Sequence, residues 1–157
     1  MLTLWIDPGT TTLWYAIVEV IAGKIVLIDY GVVATPPKMK AGEKLREMRD
    51  DLESILQKYP TIKRAGIEKL YFGSNITTGI AVAECRWVVV ELLTRNNIIR
   101  SEFTPLQVKK WICGNGRATK QQVQSAIQSL FKLASPPKPD DAADAIAIAY
   151  LSAIQQY

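Results

Sequence analysis

The sequence predicts an α/β fold, a five-stranded mixed sheet with helices on both faces. Three observations predict it. Runs rich in β-branched and apolar residues fill the first part of the chain and recur twice further on. Later segments carry apolar residues at helical spacing. The resulting order, βββαβαβααα, joins a strand meander to crossover connections, which build mixed sheets covered by helices. At 157 residues the chain is expected to form one domain, 1–157, long enough to bury a real core.

Each element follows from local chemistry. Leu2-Thr3-Leu4-Trp5-Ile6-Asp7 reads as a short buried strand that ends at the Pro8-Gly9 turn. The runs 13–20 and 24–33 are separated by Ala22-Gly23 and read as a hairpin. Pro36-Pro37 breaks the chain. Leu45, Met48, Leu52, Ile55, Leu56 and Tyr59 then recur at helical spacing until Pro60. Residues 64–68 form a short strand with Ala65 and Ile67 on alternate positions. Gly73-Ser74-Asn75 opens a long helix reaching about Thr94, and residues 98–103 are the fifth strand. Thr104-Pro105 starts a short helix to Ile112. Gly114-Asn115-Gly116 turns the chain, and Thr119 caps a helix to about Leu133. A proline-rich linker, residues 136–139, leads to a last helix beginning near Asp140.

Composition narrows the chemistry. The chain has no histidine, which excludes Ser-His-Asp and Cys-His nucleophile systems and any His-ligated zinc. Carboxylates, lysines or bound metal must carry a reaction. Cys85 and Cys113 match no zinc or redox spacing and read as reduced core thiols of a cytoplasmic protein. No basic stretch precedes an apolar run at the N-terminus, and no apolar run reaches the length of a membrane span. The net charge of +4 mildly favours a polyanionic partner.

Four carboxylates stand where burial is costly. Asp7 follows Leu-Trp-Ile at the end of the first strand, and Glu68 repeats that pattern at the end of the fourth. Asp141 and Asp144 lie three residues apart, on one face of a helix otherwise made of core material. Taken singly, Asp7 could be a turn residue, Glu68 a strand-end carboxylate and Asp141 a helix-capping acid. Asp144 is harder to place that way, because it interrupts an apolar face after the first turn. A cluster of four would repel itself unless cations were bound. Hard divalent ions with oxygen ligands are the match, and Mg²⁺ is the natural candidate. Two such ions ~4 Å apart can activate a water and stabilise the leaving oxygen in phosphodiester hydrolysis.

The stretch 105–138 holds six cations, Lys109, Lys110, Arg117, Lys120, Lys132 and Lys138, and no acidic residue. With Asn115, Thr119 and the glycine turn it could follow a nucleic-acid backbone, or it could be a solvated basic face. Tyr71 and Phe72, adjacent in an expected loop after Glu68, could stack on bases or pack on the domain itself. The helix 75–94 carries more apolar surface than one sheet face would cover, through Ile76, Ile80, Ala83, Trp87 and the Val88–Val90 run. A homodimer interface is one explanation and full burial the other.

These segments resemble the RuvC family of Holliday-junction resolvases. Ile6-Asp7-Pro8-Gly9-Thr10 is similar to its opening motif. Gly66-Ile67-Glu68-Lys69, with Tyr71 and Asn75, is similar to its second. Gln107-Val108-Lys109, Gly114-Asn115-Gly116 and Ala118-Thr119-Lys120 are similar to its basic segment, and residues 141–147 to its C-terminal signature. The resemblance spans essentially the whole chain. It implies an RNase H-like fold and a homodimer that nicks opposed strands of four-way junction DNA. Asp7, Glu68, Asp141 and Asp144 would be metal ligands for two Mg²⁺ per site, with Mn²⁺ as a substitute. Lys109 and Lys120 would lie near the scissile phosphate, Lys120 with a catalytic part. Tyr71 would meet the junction centre, with Phe72, Asn75, Lys110, Asn115, Arg117 and Thr119 as further DNA contacts. A branch-migration motor is a further candidate partner. Residues 11–15 lack the family's Gly-Tyr-Gly pattern. Where some members place a histidine near the last aspartate, this chain offers only Asp144, which leaves the general base open.

Three other activities share some of these features. Asp-Pro-Gly-Thr-Thr also resembles the phosphate loop of actin-like kinases, but those need two such domains. A non-catalytic junction-binding module would gain nothing from four carboxylates beside phosphate. An RNase H-like nuclease acting on RNA or flaps would use the same residues.

Overall fold

The computed structural model describes residues 1–69, 76–138 and 140–154, the side chains of 76, 77 and 140 excepted. The expected order of elements is found: β1 (Leu2–Pro8), β2 (Thr12–Ile21), β3 (Lys24–Ala34), α1 (Ala41–Lys58), β4 (Arg64–Glu68), α2 (Ile76–Arg95), β5 (Ile99–Phe103), α3 (Pro105–Cys113), α4 (Lys120–Phe131) and α5 (Asp140–Ile154). The sheet runs β3-β2-β1-β4-β5. Strands β1, β2 and β3 are antiparallel neighbours, and β1–β4 and β4–β5 are parallel. The β2–β3 turn uses Ala22 at φ 50° and Gly23 at φ 75°. Two consecutive positive φ angles are what a two-residue type I′ hairpin requires.

Strand β1 is central and buried on both faces. Side chains alternate along a strand. Leu2, Leu4 and Ile6 therefore join one core cluster, with Met48 and Leu52 of α1 and Val89, Leu92 and Leu93 of α2. Trp5 joins the other, with Val108 of α3, Val123 and Ile127 of α4 and the Ala/Ile face of α5. Helices thus cover both faces, as expected.

Small residues meet where helix α5 packs on the sheet. Ala142, Ala145, Ala149 and Ala153 are fully buried. Gly66 of β4 faces the helix, and a Cβ at that position would overlap the Ser152 hydroxyl and come within 3.0 Å of Trp5 Cδ1.

Three boundaries and burials differ from expectation. Helix α4 stops at Phe131, short of Leu133, because Lys132 turns left-handed at φ 52°. Strand β5 begins at Ile99, one residue late. Cys113 is only half-buried, unlike Cys85, because the outward end of α3 leaves it at the rim of the second cluster. Among the described residues no helix is long and apolar enough to cross a membrane.

Candidate active site

Register and parity bring Asp7 and Glu68 together. Ile6 of β1 pairs with Ile67 of β4 in a parallel ladder, so the next residues of both strands lie side by side at the strands' carboxyl ends. Asp7 shares the face of Trp5, and Glu68 that of Gly66. Both therefore point to the α5 side, where Asp141 and Asp144 occupy the first two turns of that helix. The turn after Asp7 is held tightly. Gly9 N donates to Thr12 O at 2.8 Å, and a Cβ on Gly9 would sit 2.6 Å from that same oxygen.

Electrostatics couple the four carboxyl groups. Asp7 is pushed from 3.8 up to about 6, first by burial and then by the charges of Asp141 and Asp144, with Lys120 opposing. Glu68 is pushed from 4.5 up to about 7 by burial and by Asp7, Asp144 and Asp141. Two half-buried acids so reluctant to ionise are a site that welcomes positive charge. Among the described residues no three acids or thiols stand in metal-ligating geometry, so the four share one neighbourhood without forming a closed ligand set. The donor set is all oxygen, which suits a hard divalent cation rather than zinc.

The basic segment reaches the same place. Thr104 caps α3 in a reciprocal capping box with Gln107, with Pro105 at the first helical position. Gly114, at φ 73°, ends α3 in the left-handed region, and Thr119 caps α4 in a second capping box with Gln122. Lys120 is thereby fixed as the first residue of α4, its Nζ 3.7 Å from Asp141 Oδ1. With both partners about half exposed, that ion pair adds little stability and leaves the lysine able to meet an incoming anion. Lys109, Lys120, Glu68 and Asp144 line one cavity of about 170 Å³. On the other side of Glu68, a cavity of about 270 Å³ is lined by Asp7, Glu68, Lys69 and Arg86. A larger one, about 350 Å³, lies at the opposite end of the sheet beside Tyr59, Lys63 and Asn96. Ligands of such sheets bind at the carboxyl ends of the strands, where the acids are.

Asp7, Glu68, Asp141, Asp144, Lys109 and Lys120 are thus gathered at one end of the molecule. Asn115 and Thr119 have local duties: Asn115 Oδ1 accepts from Arg117 N at 2.9 Å, and Thr119 Oγ1 from Gln122 N at 3.2 Å. Lys110 and Arg117 are exposed on the same segment. Tyr71, Phe72 and Asn75 lie outside the described residues. Sequence reasoning missed Arg86. It had no local signal, because α2 also carries Glu84 and Glu91; only the fold sets it against Glu102 of β5 at 2.6 Å.

Residues 3–151 match the family described as crossover junction endodeoxyribonuclease RuvC. The RuvC protein of Halothermothrix orenii is 40% identical over 94% of this chain and 89% of its own length. That of Clostridioides difficile is 41% identical over 95% and 88%. The Thermus thermophilus RuvC structure superposes with a TM-score of 0.87 at 26% identity, covering 99% of this chain and 95% of that one. The same protein in complex with Holliday junction substrate gives 0.91 at 27%, over 99% and 94%. The sheet is therefore of the RNase H-like kind, and the chain belongs to the RuvC family of crossover junction endodeoxyribonucleases.

Proposed function

We propose that this chain resolves four-way DNA junctions by paired, symmetric, metal-dependent nicks. One observation carries the proposal: two acids with raised proton affinity end adjacent strands and face two more acids on α5, in a chain without histidine. Asp7, Glu68, Asp141 and Asp144 would hold Mg²⁺, two ions per site, with Mn²⁺ as a substitute. Bound there, the ions supply an activated water and a charge partner for the leaving oxygen. The chain's own residues do the rest. Lys109 and Lys120 hold the scissile phosphate against the acids from the α3–α4 side, Lys120 balancing charge beside Asp141. Lys110, Arg117, Asn115 and Thr119 carry the strand away along the acid-free segment, Tyr71 would meet the junction centre, and Phe72 and Asn75 would add further DNA contacts. With no histidine in the chain, the general-base role would fall to Asp144.

Paired nicks need two sites. Trp87 and Ile80 of α2 are 66% and 54% exposed, a face that a second copy would cover. Sedimentation should therefore give twice the chain mass. The family resemblance supports a branch-migration motor as a further partner and the cytoplasm as the compartment.

The test incubates the protein with a labelled four-way junction, a matching linear duplex and an RNA–DNA hybrid, each with Mg²⁺ and with EDTA. Symmetric Mg²⁺-dependent nicks on the junction alone are expected. Cutting of the hybrid instead would keep the acid site and replace the substrate. Tight junction binding without cleavage under Mg²⁺ or Mn²⁺ would leave only a binding module.

A further inference from the structure

The wall of the site opposite Lys109 and Lys120 contains a guanidinium that the reaction described so far does not use. Arg86 is 14% exposed. Its Nη2 donates to Glu102 Oε1 at 2.6 Å, while its Nε is buried without a hydrogen-bond partner. Glu102 is already shared, since Arg100 Nε lies 3.4 Å from the same oxygen. One carboxylate thus faces two guanidiniums, and positive charge is left over. A buried donor with no acceptor costs stability. Arg86 lines the cavity that holds Asp7, Glu68 and Lys69. About 270 Å³ is ample for one phosphodiester group, which displaces only a few waters of ~30 Å³ each.

We propose that Arg86, with Lys69, forms a second phosphate subsite that takes the backbone phosphate next to the cleaved one, on the side of Glu68 away from Lys109 and Lys120. The proposal rests on the nuclease reading above. Cations then flank the acids on both sides, and a single strand is drawn across Glu68 with one phosphate held on each flank. Glu102 of β5 holds one nitrogen of the guanidinium in place before DNA arrives. Arginine suits this task because its planar fork matches a phosphate and keeps its charge when buried.

A methylphosphonate, which removes one backbone charge, separates this role from a structural one. It is placed on either flank of the cleaved position in a four-way junction, and cleavage by the full chain in Mg²⁺ is measured for wild type, Arg86→Ala and Arg86→Lys. Neutralising one particular flank should slow wild type by about 10- to 100-fold, the usual weight of a charge-assisted contact. Arg86→Ala should be slowed similarly on the natural junction and should lose nothing more on that neutral flank. Arg86→Lys should recover part of the rate. If Arg86→Ala fails to fold, Arg86→Lys is tested for the same coupling. Losses that multiply independently on both flanks, or an Arg86→Ala enzyme as fast as wild type, overturn the subsite. A wild-type protein that cuts no junction overturns the nuclease reading instead.

Discussion

Replacing Asp7 by Asn should abolish cleavage and, in the metal-free protein, make the fold more stable. The carboxyl group of Asp7 rises from 3.8 to about 6 in the folded chain. Each tenfold change in proton affinity corresponds to about 1.4 kcal/mol, so holding Asp7 ionised at pH 8 costs at most about 3 kcal/mol. Local relaxation and partial access of water reduce this, and ~1–3 kcal/mol is the expected gain on removing the charge. Glu68 adds to it, because Asp7 is one of the charges that raise Glu68. A group with a raised folded pKa stabilises fully below its unfolded value, and that stability is lost as pH rises through the folded one. The gain from Asn should therefore be near zero at pH 4 and complete at pH 8. For a chain of this size 1 kcal/mol moves the unfolding temperature by about 2–4 °C, so a rise of roughly 2–12 °C is expected at pH 8 in EDTA. Circular-dichroism melts of both proteins at the two pH values decide it. An equal or lower Tm for Asp7→Asn at pH 8, or the same shift at both pH values, would mean that the acid is not held against a cost.

Lys120→Ala should weaken junction binding and flatten the salt dependence of log Kd by about one; an unchanged slope in a titration from low to moderate salt removes Lys120 from the phosphate contacts. Gly66→Ala should destabilise by about 1–3 kcal/mol, because the added methyl overlaps the Ser152 hydroxyl and crowds Trp5. Denaturant melts that show no change would mean that α5 yields freely, whereas partial rescue by adding Ser152→Ala would locate the clash.

Much of this architecture was legible in the sequence because its signals are local. The Pro8-Gly9 and Ala22-Gly23 turns, the Thr104 and Thr119 caps and the alternation around Ala65 and Ile67 each fix an element without reference to the rest. The acids were legible because a carboxylate after Leu-Trp-Ile contradicts its surroundings. What stayed hidden depends on distant pairing. Arg86 is one of several charged residues on α2, and its place emerges only when β5 sets Glu102 opposite it. Asn115 was legible as a turn residue, and only the fold shows its side chain tied to Arg117 N. The closing of α4 at Lys132 was unreadable, since a left-handed lysine has no local signature.

The acids come from opposite ends of the chain: Asp7 from its first strand, Asp141 and Asp144 from its last helix. Nearly everything between must be synthesised and packed before the two meet, and the long closure makes their encounter a late event in folding. A growing chain that lacks α5 therefore lacks two of the four acids of the candidate site, however well its sheet has formed. A chain ending at residue 138 should be unable to nick a junction, and activity from it would mean that Asp7 and Glu68 suffice alone. On the proposed reading, the capacity to cut DNA therefore waits on the docking of α5 against the sheet.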